Sequence, residues 1–139
     1  MIRSLWEIKS RKKCTQGSEL WRWVYRRYYV EEGKLKRKVL QQDRRVRSET
    51  LFEGIEAMFL WYGLDKNSDQ IVDQYVTPER VWTRESDELK SIQVQLLLRS
   101  RQRLSQMKQQ TLTGFDQTRL SFDDGYRRVL VSRLIVLEN

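Results

Sequence analysis

The stretch WRWVYRRYYVEEGKLKRK, Trp21 to Lys38, constrains the fold more than any other part of the chain. Its first half is rich in Trp, Tyr and Val, residues that fit a pleated strand. Glu31-Glu32-Gly33-Lys34 then supplies a turn, because Gly33 can take the positive φ of a tight loop. A β-hairpin over residues 20–45 follows. With Gly33 closing a three-residue loop, Val30 pairs with Lys34, Tyr28 with Lys36, Arg26 with Lys38 and Val24 with Leu40. The other face pairs Tyr29 with Leu35, Arg27 with Arg37, Tyr25 with Val39 and Trp23 with Gln41. Trp21, Trp23, Tyr25 and Tyr29 then read as core, while Arg22, Arg26, Lys34, Lys36 and Lys38 crowd the opposite face around Tyr28.

Further along, SETLFEGIEAMFLWY (48–62) reads as a helix. Ser48 is an N-cap candidate, Thr50 and Glu53 form a capping-box pattern, and Leu51, Ile55, Met58, Phe59 and Tyr62 recur at helical spacing. Gly63 suits the stop, and Gly54 is the one poor helix former inside. DKNSD (65–69) is a loop, IVDQYV (71–76) a short strand, and Thr77-Pro78 a turn or a short helical turn. Residues 86–110 carry two patterns at once. Ser86 and the acids after it resemble a helix start, yet Ile92, Val94, Leu96 and Leu98 alternate as in a strand; the helix is the preferred reading. TRLSF, Asp123-Asp124-Gly125 and YRRVLVSRLIVLE give a second hairpin over 117–137, whose last strand is apolar enough to be central in a sheet. Leu5–Ile8 is a further strand candidate. The expectation is α+β, a single domain over 1–139 with a mainly antiparallel sheet and helices at 48–62 and 86–110. The alternative is a small antiparallel β-barrel with one helix, if 86–110 is a strand.

Charge sharpens the functional question. Residues 1–48 hold 15 Lys and Arg against 5 Asp and Glu; the remainder holds 12 against 14. The positive excess therefore lies wholly in the first third, the pattern of a localised polyanion site. No apolar run approaches the roughly 20 residues of a membrane span. The N-terminus lacks the apolar core of a secretory signal, and the lone Cys14 can form no internal disulfide. These features lead to the expectation of a cytoplasmic protein without a membrane partner.

Catalytic chemistry is poorly supplied. With no histidine, the commonest general base and metal ligand is missing. Cys14 lies beside Arg11, Lys12 and Lys13 but has no histidine to act as base. Glu7-Ile8-Lys9 has the acid-x-Lys form of some metal-dependent nucleases, without the upstream acid needed to share a cation. The six glycines stand isolated, so no phosphate-cradling loop forms. Asp123 and Asp124 serve turn geometry. No catalytic residue, metal ligand or cofactor is assigned.

Three readings follow. The leading one is a non-enzymatic nucleic-acid-binding accessory or regulatory protein. Its site is the basic hairpin: Arg22, Arg26, Tyr28, Lys34, Lys36, Arg37, Lys38, Arg44 and Arg45. Like charges opposed across a ladder repel, and backbone phosphates would relieve them. The second reading is an adaptor or assembly factor docking on an acidic protein. The third is a lipocalin-like barrel in which Trp21, Trp23, Tyr25 and Tyr29 line a pocket for a flat anionic molecule, with Arg27 or Arg37 pairing its carboxylate.

Overall fold

The computed structural model describes residues 3–13, 19–41, 43–81, 88–106 and 109–137, with backbone alone for 3–13, 19–24 and 81. Among these residues the chain is built from ten strands and one four-residue helix. It divides into two compact units, 1–53 and 54–139.

The first unit is an antiparallel sheet of β1 (Arg3–Lys13), β2 (Glu19–Glu31), β3 (Lys34–Leu40) and β4 (Val46–Glu53), in that order. The hairpin is β2–β3, but its loop has two residues rather than three. Glu32 and Gly33 both have positive φ, at 51° and 70°. That is the primed turn whose twist matches the strands. The register consequently slips by one. Val30 faces Leu35, Tyr29 faces Lys36, Tyr28 faces Arg37, Arg27 faces Lys38 and Arg26 faces Val39. Tyr29 and Leu35, expected to share a face, lie on opposite faces, and both are buried. The Tyr29 hydroxyl meets the Ser48 hydroxyl at 2.9 Å.

The second unit is centred on a sheet of order β10-β7-β5-β6. Its strands are β5 (Ile55–Asp65), β6 (Gln74–Val76), β7 (Glu88–Arg103) and β10 (Tyr126–Val136), all antiparallel. A separate hairpin, β8 (Gln110–Thr113) with β9 (Arg119–Phe122), completes it, with α1 (Pro78–Val81) after β6.

Both expected helices are strands. Over 48–62 the chain runs as β4 and β5, broken at Gly54, whose φ of +80° no helix interior tolerates. The capping-box pattern at Thr50 and Glu53 caps nothing. Met58 and Leu60 are buried on one face of β5 and Trp61 on the other, so the apolar residues run on without a gap. A strand covered on both faces imitates a buried helix in its composition. The same holds for 88–103. The central strand β7 buries Ile92 and Leu97 on opposite faces, so the alternation, not the helix-start pattern, is the true signal. Ser86 lies outside the described residues. The 117–137 hairpin is also replaced: β9 pairs with β8, while β10 pairs with β7 and takes the sheet edge rather than its centre. The architecture is therefore all-β rather than α+β. Among the described residues no sheet closes on itself, so the barrel alternative is overturned as well.

Two local devices position the strands of the second unit. Gly63 lies so close to its neighbours that a Cβ would meet Ser91 Oγ at 2.3 Å and both Val72 methyls at 3.0 Å. After β5 the loop is held by its own carboxylates. Buried Asp65 accepts the backbone N–H groups of Ser68 (2.7 Å), Gln70 (2.8 Å) and Asn67 (3.2 Å). Burial alone would raise its pKa, but these donors outweigh burial and hold it below the ordinary value.

The turn gives a two-sided test. Gly33→Ala should destabilise the chain by about 1 kcal/mol, since nothing crowds the site and only the positive φ opposes a side chain. Glu32→Asn should stabilise it by about 0.5 kcal/mol, because Asn accepts the same conformation more readily. Urea unfolding of both variants checks the opposite signs; equal effects would rule out the primed turn.

Candidate docking surfaces

The expected basic face does not assemble. The one-residue slip divides it. Lys34, Lys36 and Lys38 alternate with Tyr29 and Arg27 on one side of the sheet, while Tyr28, Arg37 and Arg26 take the other. Local acids also engage several of these cations. Lys36 donates to Glu31 at 2.8 Å, Arg37 Nε donates to Glu49 at 2.6 Å, and Lys34 stands 3.6 Å from Glu53. The Glu31 contact raises the Lys36 pKa, and the Glu49 contact raises that of Arg37. Lys38 lies over the Tyr29 ring, 5.3 Å from its centroid. Arg44 and Arg45 sit apart in the exposed turn between β3 and β4, where Arg45 stands 3.6 Å from Asp43. Neither expected like-charge opposition, Arg26–Lys38 or Arg27–Arg37, occurs; the observed register instead sets Arg27 opposite Lys38. The Arg22 side chain lies outside the described residues, as do Cys14 and the side chains of Trp21, Trp23, Glu7 and Lys9. Arg22 is placed only by its backbone register opposite Ser10.

The strongest electrostatic feature lies elsewhere, at a residue that no sequence motif marks. Arg128 of β10 is buried, its side chain only 2% exposed. Two carboxylates hold its guanidinium. Nε and Nη2 donate to Glu56 at 2.5 and 3.0 Å, and Nη1 and Nη2 donate to Asp124 at 2.6 and 2.7 Å. Phe122 of β9 lies beneath it at 4.1 Å. Two bulges create this geometry. One, between Ile55 and Ala57, leaves Glu56 as an extra residue and re-aims it. The other, between Tyr126 and Arg128, turns the start of β10. Asp123-Asp124-Gly125, read as turn residues, thus also supply a carboxylate. The Arg128 contact holds the Asp124 carboxyl well below its usual range.

Arg128 also fixes the outer edge of β10. Its backbone N–H donates to Gln110 Oε1 at 2.8 Å, and its carbonyl accepts from Gln110 Nε2 at 2.6 Å. The side chain of Gln110 thus stands where a neighbouring strand's peptide would. Beyond this cap β10 is, among the described residues, the end strand of its sheet, and Val129, Val131, Leu134, Ile135 and Val136 are 41–68% exposed. On the sheet face that carries Phe59, an aromatic cluster runs from Phe59 through Trp61 and Phe115 to Tyr75, with successive centroids 6.2, 5.2 and 5.0 Å apart. The loop between β8 and β9 brings in Phe115, whose N–H donates to Gln95 Oε1 at 3.3 Å.

Comparison with known proteins decides between the three functional readings. The family model described as Type IV Pilus-assembly protein W matches residues 24–139. No curated protein and no solved structure gives a match. The family points to pilus assembly, which overturns the nucleic-acid reading and favours the assembly alternative. The barrel reading has lost its closed sheet.

Removing the buried cation tests the Arg128 cluster. Arg128→Met should cost about 3 kcal/mol, because Glu56 and Asp124 are left facing each other. Asp124 also carries a pH signature. Its folded pKa lies below the unfolded value of about 3.9, so its contribution is complete above that pH and is lost on acidification below it. Thermal unfolding between pH 7 and 2 should show stability falling at the acid end, and Asp124→Asn should flatten that fall. An Asn variant with an unchanged acid slope would contradict the pairing.

Proposed function

The chain belongs to the type IV pilus-assembly protein W family, and from that premise we propose that it acts as a non-catalytic docking subunit whose contacts are made with protein. The observation that carries this reading is the edge of β10. An edge strand is ordinarily blunted by charges, prolines or a short length. β10 has eleven residues, no proline, and a terminal half, Val129–Val136, with Arg133 as its one charge. It is the most apolar strand at any sheet edge for which side chains are described, and backbone hydrogen bonding along such an edge gives affinity without a pocket. No helix among the described residues is long and apolar enough to cross a membrane. The absence of histidine from the chain is consistent with a binding role.

In a strain lacking this protein, the wild-type chain should restore surface pili. Leu134→Lys/Val136→Lys, which places two charges on the exposed edge, should accumulate to the same level but restore few or none. Normal piliation by the double variant would refute β10 as the docking edge.

A further inference from the structure

The direction of the β10 backbone groups follows from two bonds. Arg128 spends its N–H and C=O on Gln110, away from β7. Leu137, nine residues on, donates its N–H to the Lys90 carbonyl at the start of β7. In an antiparallel ladder the groups alternate side by side along a strand. Odd-numbered residues of β10 therefore bond β7, and Leu130, Ser132, Leu134 and Val136 aim their N–H and C=O groups away from the sheet. An occupant of this edge must present its own extended backbone. It must also offer apolar side chains on both faces, because Val129, Val131 and Ile135 lie on one face and Leu134 and Val136 on the other.

β10 itself meets each requirement. We propose that two copies of this chain pair through β10, antiparallel, about a two-fold axis at Ser132, so that their sheets become continuous. The proposal rests on the reading of β10 as the docking edge and names its occupant. Charge rules out one register. An axis at Arg133 would set that residue against its own copy, a destabilising like-charge pair. An axis at Ser132 sets Leu130 opposite Leu134 of the second copy and Arg133 opposite Val131 of the second copy. It also sets Val136 of the second copy opposite Arg128, whose outward groups Gln110 already takes, so the new ladder runs from Leu130 to Leu134 and ends there. A C2 interface must be self-complementary, and the segment Val129–Val136, with one charge placed off the axis, satisfies that condition.

Sedimentation of the purified full chain over a concentration series tests the proposal. The wild type should pass from monomer to dimer. Leu134→Pro removes an outward N–H and leaves the β7 ladder intact, so it should stay monomeric with an unchanged far-UV spectrum. If that proline disturbs the fold, position 131 decides. Val131→Glu would face Arg133 of the second copy and should tighten the dimer at low salt. Val131→Lys should loosen it, the two differing about tenfold in dissociation constant. A wild type that remains monomeric up to about 200 µM would overturn the dimer, and equal effects of Glu and Lys would overturn the register. A monomeric protein whose edge variants still abolish piliation would refute the self-pairing alone and leave the docking edge standing. A dimer whose edge variants assemble pili normally would refute the docking reading instead.

Discussion

The second unit depends on one buried cation. Taking a guanidinium out of water costs several kcal/mol unless its donors are met. Arg128 meets that cost with two carboxylates that arrive from different places, Glu56 from a bulge in β5 and Asp124 from the turn before β10. The cluster therefore fixes the bulge, the turn and the start of the edge strand together. Phe122 beneath the guanidinium and Gln110 beside its backbone tie in the β8–β9 hairpin. None of the four side chains is strongly apolar except Phe122, yet between them they join the β5 bulge, the start of β10 and the β8–β9 hairpin, no two of which pair directly with each other.

What this arrangement leaves over is an edge. Gln110 occupies the outward groups of Arg128 and so settles where the free part of β10 begins. Past that point the strand has the composition of a sheet interior and the position of a sheet boundary. The mismatch carries the functional reading, because apolar edges attract strands and proteins that do not use them tend to protect them. The basic first unit behaves differently. Lys34, Lys36 and Arg37 stand close to acids on adjacent strands, so among the described residues of the hairpin much of the positive charge has a local partner.

Legibility in the sequence followed the range of the interactions. The β2–β3 hairpin was readable because Gly33 and the aromatic alternation are local. Its register was not, since the choice between a two- and a three-residue loop turned on Glu32 accepting a positive φ, a preference that Glu does not advertise. At 55–65 burial on both faces erases the period that separates helix from strand; at 88–103 the alternation survives, with Gln93 and Gln95 between apolar residues, but competes with a helix-start pattern at Ser86. The capping-box residues Thr50 and Glu53 show that a cap pattern without a helix behind it decides nothing. Arg128 could have been suspected from a charge within an apolar strand four residues after Asp124, but Glu56 lies 72 residues away and only the sheet order brings it near. The last strand is as long and apolar as its sequence predicts, but it lies at the edge of its sheet rather than at the centre.

Amide hydrogen exchange, resolved residue by residue along β10 in dilute solution where the chain is monomeric, tests the edge most directly. The account predicts alternation beyond a protected Arg128: slow exchange at Val129, Val131, Arg133 and Ile135, which bond β7, and fast exchange at Leu130, Ser132 and Leu134. Uniform protection along the strand, or alternation of the opposite parity, would contradict the assignment of β10 as a free edge.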